Sequence, residues 1–404
     1  MGASPVCLSR GRGAGPTVLP FGTAREGEQS VPAKAEDYTL GIEEEYQIID
    51  PETRALCSRA GDVLRRARQA LGEDRVVPEL RASQLEALTP VCSTLAQARE
   101  ELLRLRRGVI EVAEVEGVRV AAASTHPFSH WREQPITARN RYKKILERER
   151  RMAEEQVVFG FHVHVGLSNR EAAVQVMNHA RVWLAPLLAL SANSPFWLGE
   201  DTGYASYRTQ VWGSLSTAGP PGCFSSLAEH DALVETIVAV GGALEPNQIY
   251  WDMRLPQKLE TVEIRVADVC TTLDEAVMLA GLCRALVRTC HERAEAGEPY
   301  PEARPEILRA AHWIASRYGL DAELVDIEAR RSIPAREVIQ KLLLFVRPAL
   351  EKHGDWEEVA MLLSDTLERG NGALRQRRAY ERAGRLEDVV DMLIERTAKG
   401  TGAK

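Results

Sequence analysis

The sequence predicts an α+β fold built around one antiparallel sheet. Five segments alternate polar and apolar residues with the period of two that is typical of strands covered on one face only. Segments with helical periodicity lie between and after them in irregular order. This order favours α+β over the regular strand–helix alternation of a parallel barrel. We therefore expect a sheet with an apolar back and a charged front.

Residues 157–167 form the most informative of these segments. Alternation places His162 and His164 on one face and leaves the other face to Phe161, Val163 and Val165. Gly160 and Gly166 leave room beside the imidazoles for a metal ion or a phosphate to approach. A lone strand histidine is more often a hydrogen-bonded core or surface residue, but two on one face indicate a functional site.

Residues 40–49 carry carboxylates in the same pattern. Glu43, Glu45 and Gln47 share one face, and the opposite face holds Ile42, Tyr46 and Ile48. Glu44 falls on the apolar side, where we expect a sheet edge or a salt bridge. Because a buried carboxylate needs a partner charge or a metal, this segment is either a solvated edge strand or part of a binding site.

Three further segments favour the binding site. Their polar faces hold Gln84 and Glu86 in residues 80–88, Asp252 and Arg254 in residues 250–255, and Glu263 and Arg265 in residues 261–268. Carboxylate clusters with few imidazoles suit Mg²⁺ or Mn²⁺ rather than Zn²⁺, and interleaved arginines suit phosphate and carboxylate groups. The combination is the chemistry of an ATP-dependent enzyme with several magnesium ions.

Helices are predicted around the sheet and at the end of the chain. The first, over 94–116, opens with the capping pattern Thr94-x-x-Gln97, and two more cover 169–190 and 273–291. From about residue 305 the chain is expected to be helical, ending in helices over 355–369 and 374–397. Residues 1–37 are rich in Gly, Pro, Ser and Ala and lack periodicity, so we expect a disordered tail before one folded domain over 38–398.

Composition excludes several classes of protein. A net charge of −7 over 404 residues gives no basic footprint for a nucleic acid, and the apolar stretch over 182–190 is too short to span a membrane. Seven cysteines without a Cys-x-x-Cys pair fit reduced thiols in the cytoplasm. The chain lacks a P-loop motif, a Rossmann glycine motif and a Gly-x-Ser-x-Gly elbow, so phosphates must be bound by other groups.

The motifs together resemble the glutamate-cysteine ligase type 2 family of bacterial carboxylate-amine ligases, which is related in fold to glutamine synthetase. The matching segments occur in family order at 41–45, 83–86, 126–128, 160–166, 193–196, 201–203, 206–208 and 261–265. The resemblance implies a glutamine synthetase-like catalytic domain whose sheet curves into a half barrel. It also implies ATP at one end, the acid and the amine at the other, and two or three Mg²⁺ ions, or Mn²⁺, between them.

The resemblance also assigns roles to individual residues. The implied metal ligands are Glu43, Glu45, Glu86, His162 and Glu263, with His164 either joining them or lying just behind. Arg265 is expected to bind ATP and, with Glu263, to stabilise the transferring phosphoryl group, and Arg208 to hold the substrate carboxylate. Other expected substrate contacts are Ser194, Tyr207, Trp251 and Asp252. Arg375 and Arg378 are expected either to contact ATP phosphates or to form a solvated basic face.

The implied reaction is ATP-dependent amide formation between a small-molecule acid and an amine, through an acyl phosphate, with ADP and phosphate released. Weak glutamate-cysteine ligase activity and a homodimer are expected. Two alternatives stay open: a metal-dependent hydrolase that uses the His-x-His strand, and a non-catalytic relative that binds ATP and a small acid.

Overall fold

A computed structural model describes residues 37–403, and the predicted tail over 1–37 lies outside this range except for its last residue. The main sheet has seven strands, namely β1 Leu40–Ile49, β2 Val76–Pro78, β3 Gln84–Leu88, β4 Arg119–Ala121, β5 Gly160–Gly166, β8 Met253–Arg254 and β9 Thr261–Asp268. The strand order is β2-β3-β1-β5-β9-β8, and β4 pairs with the end of β1. Every pairing is antiparallel, as predicted.

Two small sheets and fourteen α-helices complete the described part of the chain. The small sheets are β6 Phe196–Trp197 with β7 Glu200–Asp201, and β10 Glu323–Asp326 with β11 Arg331–Pro334. The helices are α1 Ala60–Leu71, α2 Leu95–Val115, α3 Asn140–Glu149, α4 Arg151–Glu155, α5 Arg170–Ala180, α6 Leu184–Ser191, α7 Tyr207–Trp212, α8 Leu227–Ala239, α9 Leu273–Glu295, α10 Pro305–Tyr318, α11 Ala335–His353, α12 Trp356–Arg369, α13 Gly372–Ala383 and α14 Leu386–Ala398. None of the helices formed by the described residues combines the length and apolar character needed to span a bilayer.

The apolar back of the sheet is the core predicted from alternation. It packs against α2 and α9. The strand residues buried there are Ile42, Tyr46, Ile48, Leu85, Phe161, Val163, Val165, Val262 and Ile264. Full burial of each large apolar side chain stabilises the fold by about 1.5–3 kcal/mol, and this packing holds the opposite, polar face in a fixed geometry.

Glu44 forms a buried salt bridge, and the sheet-edge alternative is wrong because β1 pairs with strands on both sides. Its carboxylate accepts hydrogen bonds from Arg106 Nη2 at 2.6 Å, from Arg106 Nε at 3.0 Å and from the Tyr46 hydroxyl at 2.6 Å. Arg106 also donates to the carbonyls of Cys270 and Thr271. This residue of α2 therefore fixes the positions of β1 and of the segment after β9.

A β-bulge in β9 changes which residues face the front of the sheet. Phe161 lies opposite Ala267, whereas Val163 lies opposite Ile264, so β9 contains one extra residue between these pairs. Beyond the bulge Asp268 lies opposite Gly160 and shares the face of His162. Strict alternation along β9 would put this carboxylate on the apolar face, so the bulge is what turns it to the front.

Several predicted elements are shorter or interrupted. The strand predicted over 80–88 begins only at Gln84, because the buried Arg81 turns away to donate to the carbonyls of Gln134, Ala153 and Gln156. Of the strand predicted over 250–255, only the two residues of β8, Met253–Arg254, form a strand.

Predicted helices are also divided. The helix over 169–190 splits into α5 and α6, since Pro186 has no N–H to donate to the carbonyl of Val182. The helix over 374–397 ends at Gly384, which adopts φ +70° and separates α13 from α14. The hairpin of β10 and β11 interrupts the segment expected to be helical.

Candidate active site

The strand register brings the predicted ligands together on the front of the sheet. Glu43 of β1 lies directly opposite His162 of β5, and Glu45 of β1 lies directly opposite Glu86 of β3. On the next pair of strands, His164 lies opposite Glu263. Because Cβ atoms of opposed residues are about 5 Å apart, these pairs are held within reach of one common ligand.

Two groups of side chains have the spacing of metal ligands. In the first, one ligand atom each from Glu43, His162 and Glu263 lies within 4.8 Å of the others. In the second, the same holds for Glu45, Glu86 and His162. His162 belongs to both groups, so two ions bound there would be neighbours. Carboxylate oxygens with one imidazole suit Mg²⁺ and Mn²⁺.

Hydrogen bonds orient the imidazoles around Glu43. His162 Nδ1 lies 2.7 Å from Glu43 Oε2, and His164 Nε2 lies 3.1 Å from Glu43 Oε1. The other ring nitrogen of His164 contacts the Thr261 hydroxyl at 3.1 Å. Among the described residues His164 belongs to neither ligand group, and whether it joins the ligands or lies just behind them stays a prediction.

The carboxylates of the two groups differ in their charge balance. Burial would raise the pKa of Glu43, but hydrogen bonds from His162 and His164 hold it well below the ordinary value. Burial raises the pKa of Glu45 to about 8, with the nearby charge of Glu79 adding to the effect. Burial and the charges of neighbouring glutamates, Glu43 first, also raise the pKa of Glu86 well above the ordinary value.

The second group therefore lacks the positive charge that its carboxylates need. A divalent cation would supply that charge, because it stabilises the ionised form of every carboxylate around it. Burial also lowers the pKa of His162 to about 4, and the charge of Arg265 contributes. This imidazole is consequently neutral at physiological pH, the form that binds metals.

The carboxylate of Glu263, a predicted metal ligand, is already paired with two arginines. Arg254 donates to its Oε2 at 2.6 Å and to its Oε1 at 3.2 Å, and Arg265 also donates to Oε1. Burial would raise the pKa of Glu263, but these two guanidinium groups lower it to about 2. A metal bound by Glu263 would have to share the carboxylate with both arginines.

Arg208 is buried beside the ligand groups at the start of α7. Its Nη2 donates to the carbonyl of Arg265 at 3.3 Å, and within the described residues its Nε has no hydrogen-bond partner. Gly160 allows the approach of this side chain, because a Cβ there would lie 2.8 Å from Arg208 Nη2 and 3.0 Å from His162 Nε2. A buried guanidinium with free donors suits a carboxylate ligand.

Asp268 organises the loop that carries Arg208. Its carboxylate accepts hydrogen bonds from the Asn193 N–H at 2.7 Å, the Ser194 hydroxyl at 2.7 Å and the Ser206 hydroxyl at 2.8 Å. Ser194 Oγ in turn accepts from the N–H of Arg208 at 3.1 Å. Ser194 therefore supports Arg208 from behind rather than lining the cavity.

The cavity on the front face contains some of the predicted residues and not others. It is lined by Glu43, Glu45, Glu86, His162, Arg208 and Arg265, together with Glu79, Gln84, Arg141 and Arg254. Among its described lining residues the predicted site residues His164, Ser194, Tyr207, Trp251, Asp252 and Glu263 do not occur. Tyr207 packs near the rings of Trp197 and Tyr204, and Asp252 lies 3.3 Å from His312. Trp251 lines an adjoining cavity that shares Asn247 and Arg254 with the first.

The two C-terminal arginines lie in a different place from the other predicted ATP ligand. Arg265 lines the front cavity, whereas Arg375 and Arg378 line a separate cavity formed by α12, α13 and α14. Arg375 pairs with Glu275, and Arg378 donates to the carbonyl of Arg369 at 2.7 Å. A contact of these two arginines with ATP stays a prediction.

Three residues of the site were missed or undervalued in the sequence. Glu79 follows β2 directly, and burial raises its pKa beside the other carboxylates of the cavity. For Arg254, the sequence predicted the correct face of the sheet but not the pairing with Glu263. Asp268 was missed because the bulge in β9 changes the face on which it lies. An acidic residue next to a strand-ending proline was the available signal for Glu79.

Comparisons with known proteins identify relatives of this chain. A Frankia alni protein whose name includes "glutamate--cysteine ligase 2-2" is 42% identical over 372 residues, covering 89% of this chain and 97% of that protein. A Rhodopirellula baltica protein named in the same way, "glutamate--cysteine ligase 2", is 39% identical over 356 residues, covering 87% and 96%. The crystal structure of glutamate–cysteine ligase from Francisella tularensis in complex with AMP superposes with a TM-score of 0.68 at 13% identity, covering 91% of this chain and 90% of that one.

The structural likeness confirms the predicted fold class, a glutamine synthetase-like α+β domain. The profile of the Glutamate-cysteine ligase family 2 (GCS2) matches residues 39–392, nearly the whole described chain. The chain belongs to glutamate-cysteine ligase family 2.

Proposed function

We propose that this protein is an ATP-dependent carboxylate-amine ligase of the glutamate-cysteine ligase type. The observation that carries the proposal is one cavity lined by the ligand group of Glu45, Glu86 and His162 together with Glu43, Arg208 and Arg265. Family membership and the names of the relatives support the same activity. Glutamate as the acid and cysteine as the amine are the first substrates to test.

The reaction we propose has two steps. The carboxylate of the acid attacks the γ-phosphorus of ATP in line, which forms an acyl phosphate and releases ADP. The amine then attacks the acyl carbon, phosphate leaves, and the amine loses a proton as the amide forms. Since the protein forms no covalent bond in either step, its contribution is positioning and charge stabilisation.

The residues of the cavity divide this work. Arg208 would hold the substrate carboxylate, and Asp268 would position Arg208 through Ser194. Arg265 lies beside the ligand groups, where it would stabilise charge on the transferring phosphoryl group. Magnesium held by Glu43, Glu45, Glu86, His162 and Glu263 would neutralise the phosphates of ATP and align them for attack.

The hydrolase alternative gains no support from the geometry, since His162 and His164 face glutamates and arginines. The non-catalytic alternative is equally unsupported, because all the predicted metal ligands gather at one place. A cytoplasmic location and a homodimer stay predictions.

The proposal is tested by phosphate release from Mg-ATP, with a panel of acids that begins with glutamate and of amines that begins with cysteine. We expect release only when an acid and an amine are both present. Release with water as the sole acceptor would favour a hydrolase, and none with any pair would favour a binding protein.

A matched pair of variants tests the site itself. Glu263→Gln should retain less than about 1% of the activity, because it removes a metal ligand and the partner of Arg265. Glu111→Gln changes an exposed carboxylate of α2 and should retain full activity. Retention of about a tenth or more of the activity by Glu263→Gln would refute the assignment.

A further inference from the structure

A second cavity, away from the catalytic residues, is lined almost entirely by arginines. Its lining residues are Arg369, Arg375, Arg378, Arg382, Arg396 and Met392. Among the described residues it shares no lining side chain with the front cavity. We refer to these five arginines as the arginine cluster.

Three consecutive helices build the arginine cluster. Arg375, Arg378 and Arg382 are spaced i, i+3 and i+7 on α13, so they project from one face of that helix. Arg369 lies in the last turn of α12 and Arg396 in the last turn of α14. The helices thus gather five guanidinium groups that are scattered over 28 positions of sequence.

The carboxylates near the cluster balance only part of its charge. Arg375 pairs with Glu275, and Arg369 lies 3.9 Å from Asp365. Within residues 37–403, Arg378, Arg382 and Arg396 have no carboxylate within 4.0 Å. Among the described residues these three arginines therefore have no carboxylate in direct contact, although Asp321 interacts with Arg378 at longer range.

Helix ends do not remove this excess. Arginines in the last turn of a helix complement the negative end of its dipole, which corresponds to roughly half an elementary charge per helix. Three helices would offset about half of the unbalanced charge, and the cavity stays positive. In addition, Nη2 of Arg375 is buried without a hydrogen-bond partner among the described residues. A free donor and an excess of positive charge both call for an anion.

We propose that the arginine cluster binds a phosphate or polyphosphate group at a site separate from the catalytic cavity. Guanidinium groups match the geometry of phosphate oxygens, and the excess charge favours an anion with two or more negative charges over a single carboxylate. The cavity of about 210 Å³ opens to solvent and has room for a phosphate or diphosphate group. The anion is either free phosphate or diphosphate, or the phosphate chain of a nucleotide whose base stays outside.

The test compares two double variants by isothermal titration calorimetry of the full chain at low salt without Mg²⁺. Arg382→Gln with Arg396→Gln removes two members of the cluster, which make no side-chain hydrogen bond within the described residues. Arg304→Gln with Arg385→Gln removes the same charge from exposed positions outside the cavity. Inorganic phosphate, diphosphate and ATP with EDTA are titrated separately.

We expect diphosphate to bind the wild type and the Arg304/Arg385 variant with the same Kd. For the Arg382/Arg396 variant, the Kd of diphosphate should be at least tenfold higher. If the Kd of ATP rises by the same factor, the nucleotide is a source of the bound group; if only phosphate or diphosphate weakens, the free anion is the ligand. Unchanged affinities in the Arg382/Arg396 variant, or no binding of any of the three anions to the wild type, would overturn the proposal. Because no ATP turnover is measured, this result is independent of the proposed ligase activity.

Melting temperature in phosphate-free buffer gives a second readout. Removing two like charges relieves repulsion, so the Arg382/Arg396 variant should melt no lower than the Arg304/Arg385 variant, and diphosphate should raise the melting temperature only of the latter. Equal stabilisation of both variants by diphosphate would contradict a site at the cluster.

Discussion

Replacing Glu45 with glutamine should stabilise the metal-free protein and at the same time abolish its magnesium-dependent activity. The carboxylate is buried beside Glu79 and Glu86, and burial first of all raises its pKa to about 8. Above pH 4.5, the folded protein therefore holds a proton on Glu45 that the unfolded chain releases, so folding becomes less favourable as the pH rises toward 8. Glutamine avoids this cost because it is neutral at every pH.

The size of the effect follows from the pKa difference. A group raised from 4.5 to about 8 lowers the free energy of unfolding at pH 8 by on the order of 4 kcal/mol, at about 1.4 kcal/mol for each pKa unit. Glutamine keeps one carbonyl oxygen, which can still accept from the Gly160 N–H and the Gln84 amide. We expect the stability difference between the variant and the wild type to be small near pH 5 and to grow toward pH 8.

The assay is urea denaturation in EDTA from pH 5 to pH 8, repeated with excess Mg²⁺. Glu43→Gln is the matched control, because hydrogen bonds from His162 and His164 oppose the effect of burial and hold the pKa of Glu43 low. A carboxylate with a lowered pKa stabilises the fold above its unfolded pKa, so Glu43→Gln should destabilise the protein at pH 8. Both variants should lose the stabilisation by Mg²⁺ that we expect for the wild type.

A Glu45→Gln protein that is less stable than the wild type in EDTA at pH 8 would refute this reasoning. It would mean that Glu45 is ionised and already paired in the absence of metal. Equal stabilisation of the wild type and the variant by Mg²⁺ would instead remove Glu45 from the metal site.

Three further variants probe other parts of the molecule. Arg208→Lys keeps the charge but loses the planar fork, so the KM for the acid should rise at least about tenfold while the KM for ATP changes little; an unchanged KM for the acid would contradict its role. Gly160→Ala places a methyl group against Arg208 and His162, so kcat/KM should fall at least about tenfold with a change in melting temperature of only a few degrees, and full activity would show that the approach is not needed. Arg106→Met leaves Glu44 buried without its partner and should lower the free energy of unfolding by about 3–5 kcal/mol in urea; a loss below about 1 kcal/mol would contradict a structural role for this pair.

Alternation predicted which side chains face the front of the sheet, and the family resemblance implied which of them bind metal. In β1, β3, β5 and β9, a period of two with one apolar face determines which side chains face the front, so Glu43, Glu45, Glu86, His162 and Glu263 were placed on that face without coordinates. The alternation was a strong signal here because the apolar face is buried. A shift of the strand register by one residue would expose that face to solvent.

Local irregularities set the limit of that reasoning. The bulge in β9 changes the face of Asp268, and an extra residue in a strand leaves no mark in the pattern of polar and apolar residues. Likewise, the carbonyls that hold Arg81 come from residues more than fifty positions away, so the late start of β3 could not be seen in the local sequence.

The sequence by itself determined the fold class, the polar faces of the strands and the residue types of the candidate metal site, because these depend on local periodicity and on the chemistry of each side chain. Only the tertiary structure decided the pairing of Glu263 with Arg254, the position of Arg208 behind Gly160, and the separation of Arg375 and Arg378 from the front cavity. Each of these depends on contacts between segments distant in the chain, which follow from strand register and helix packing rather than from any one segment.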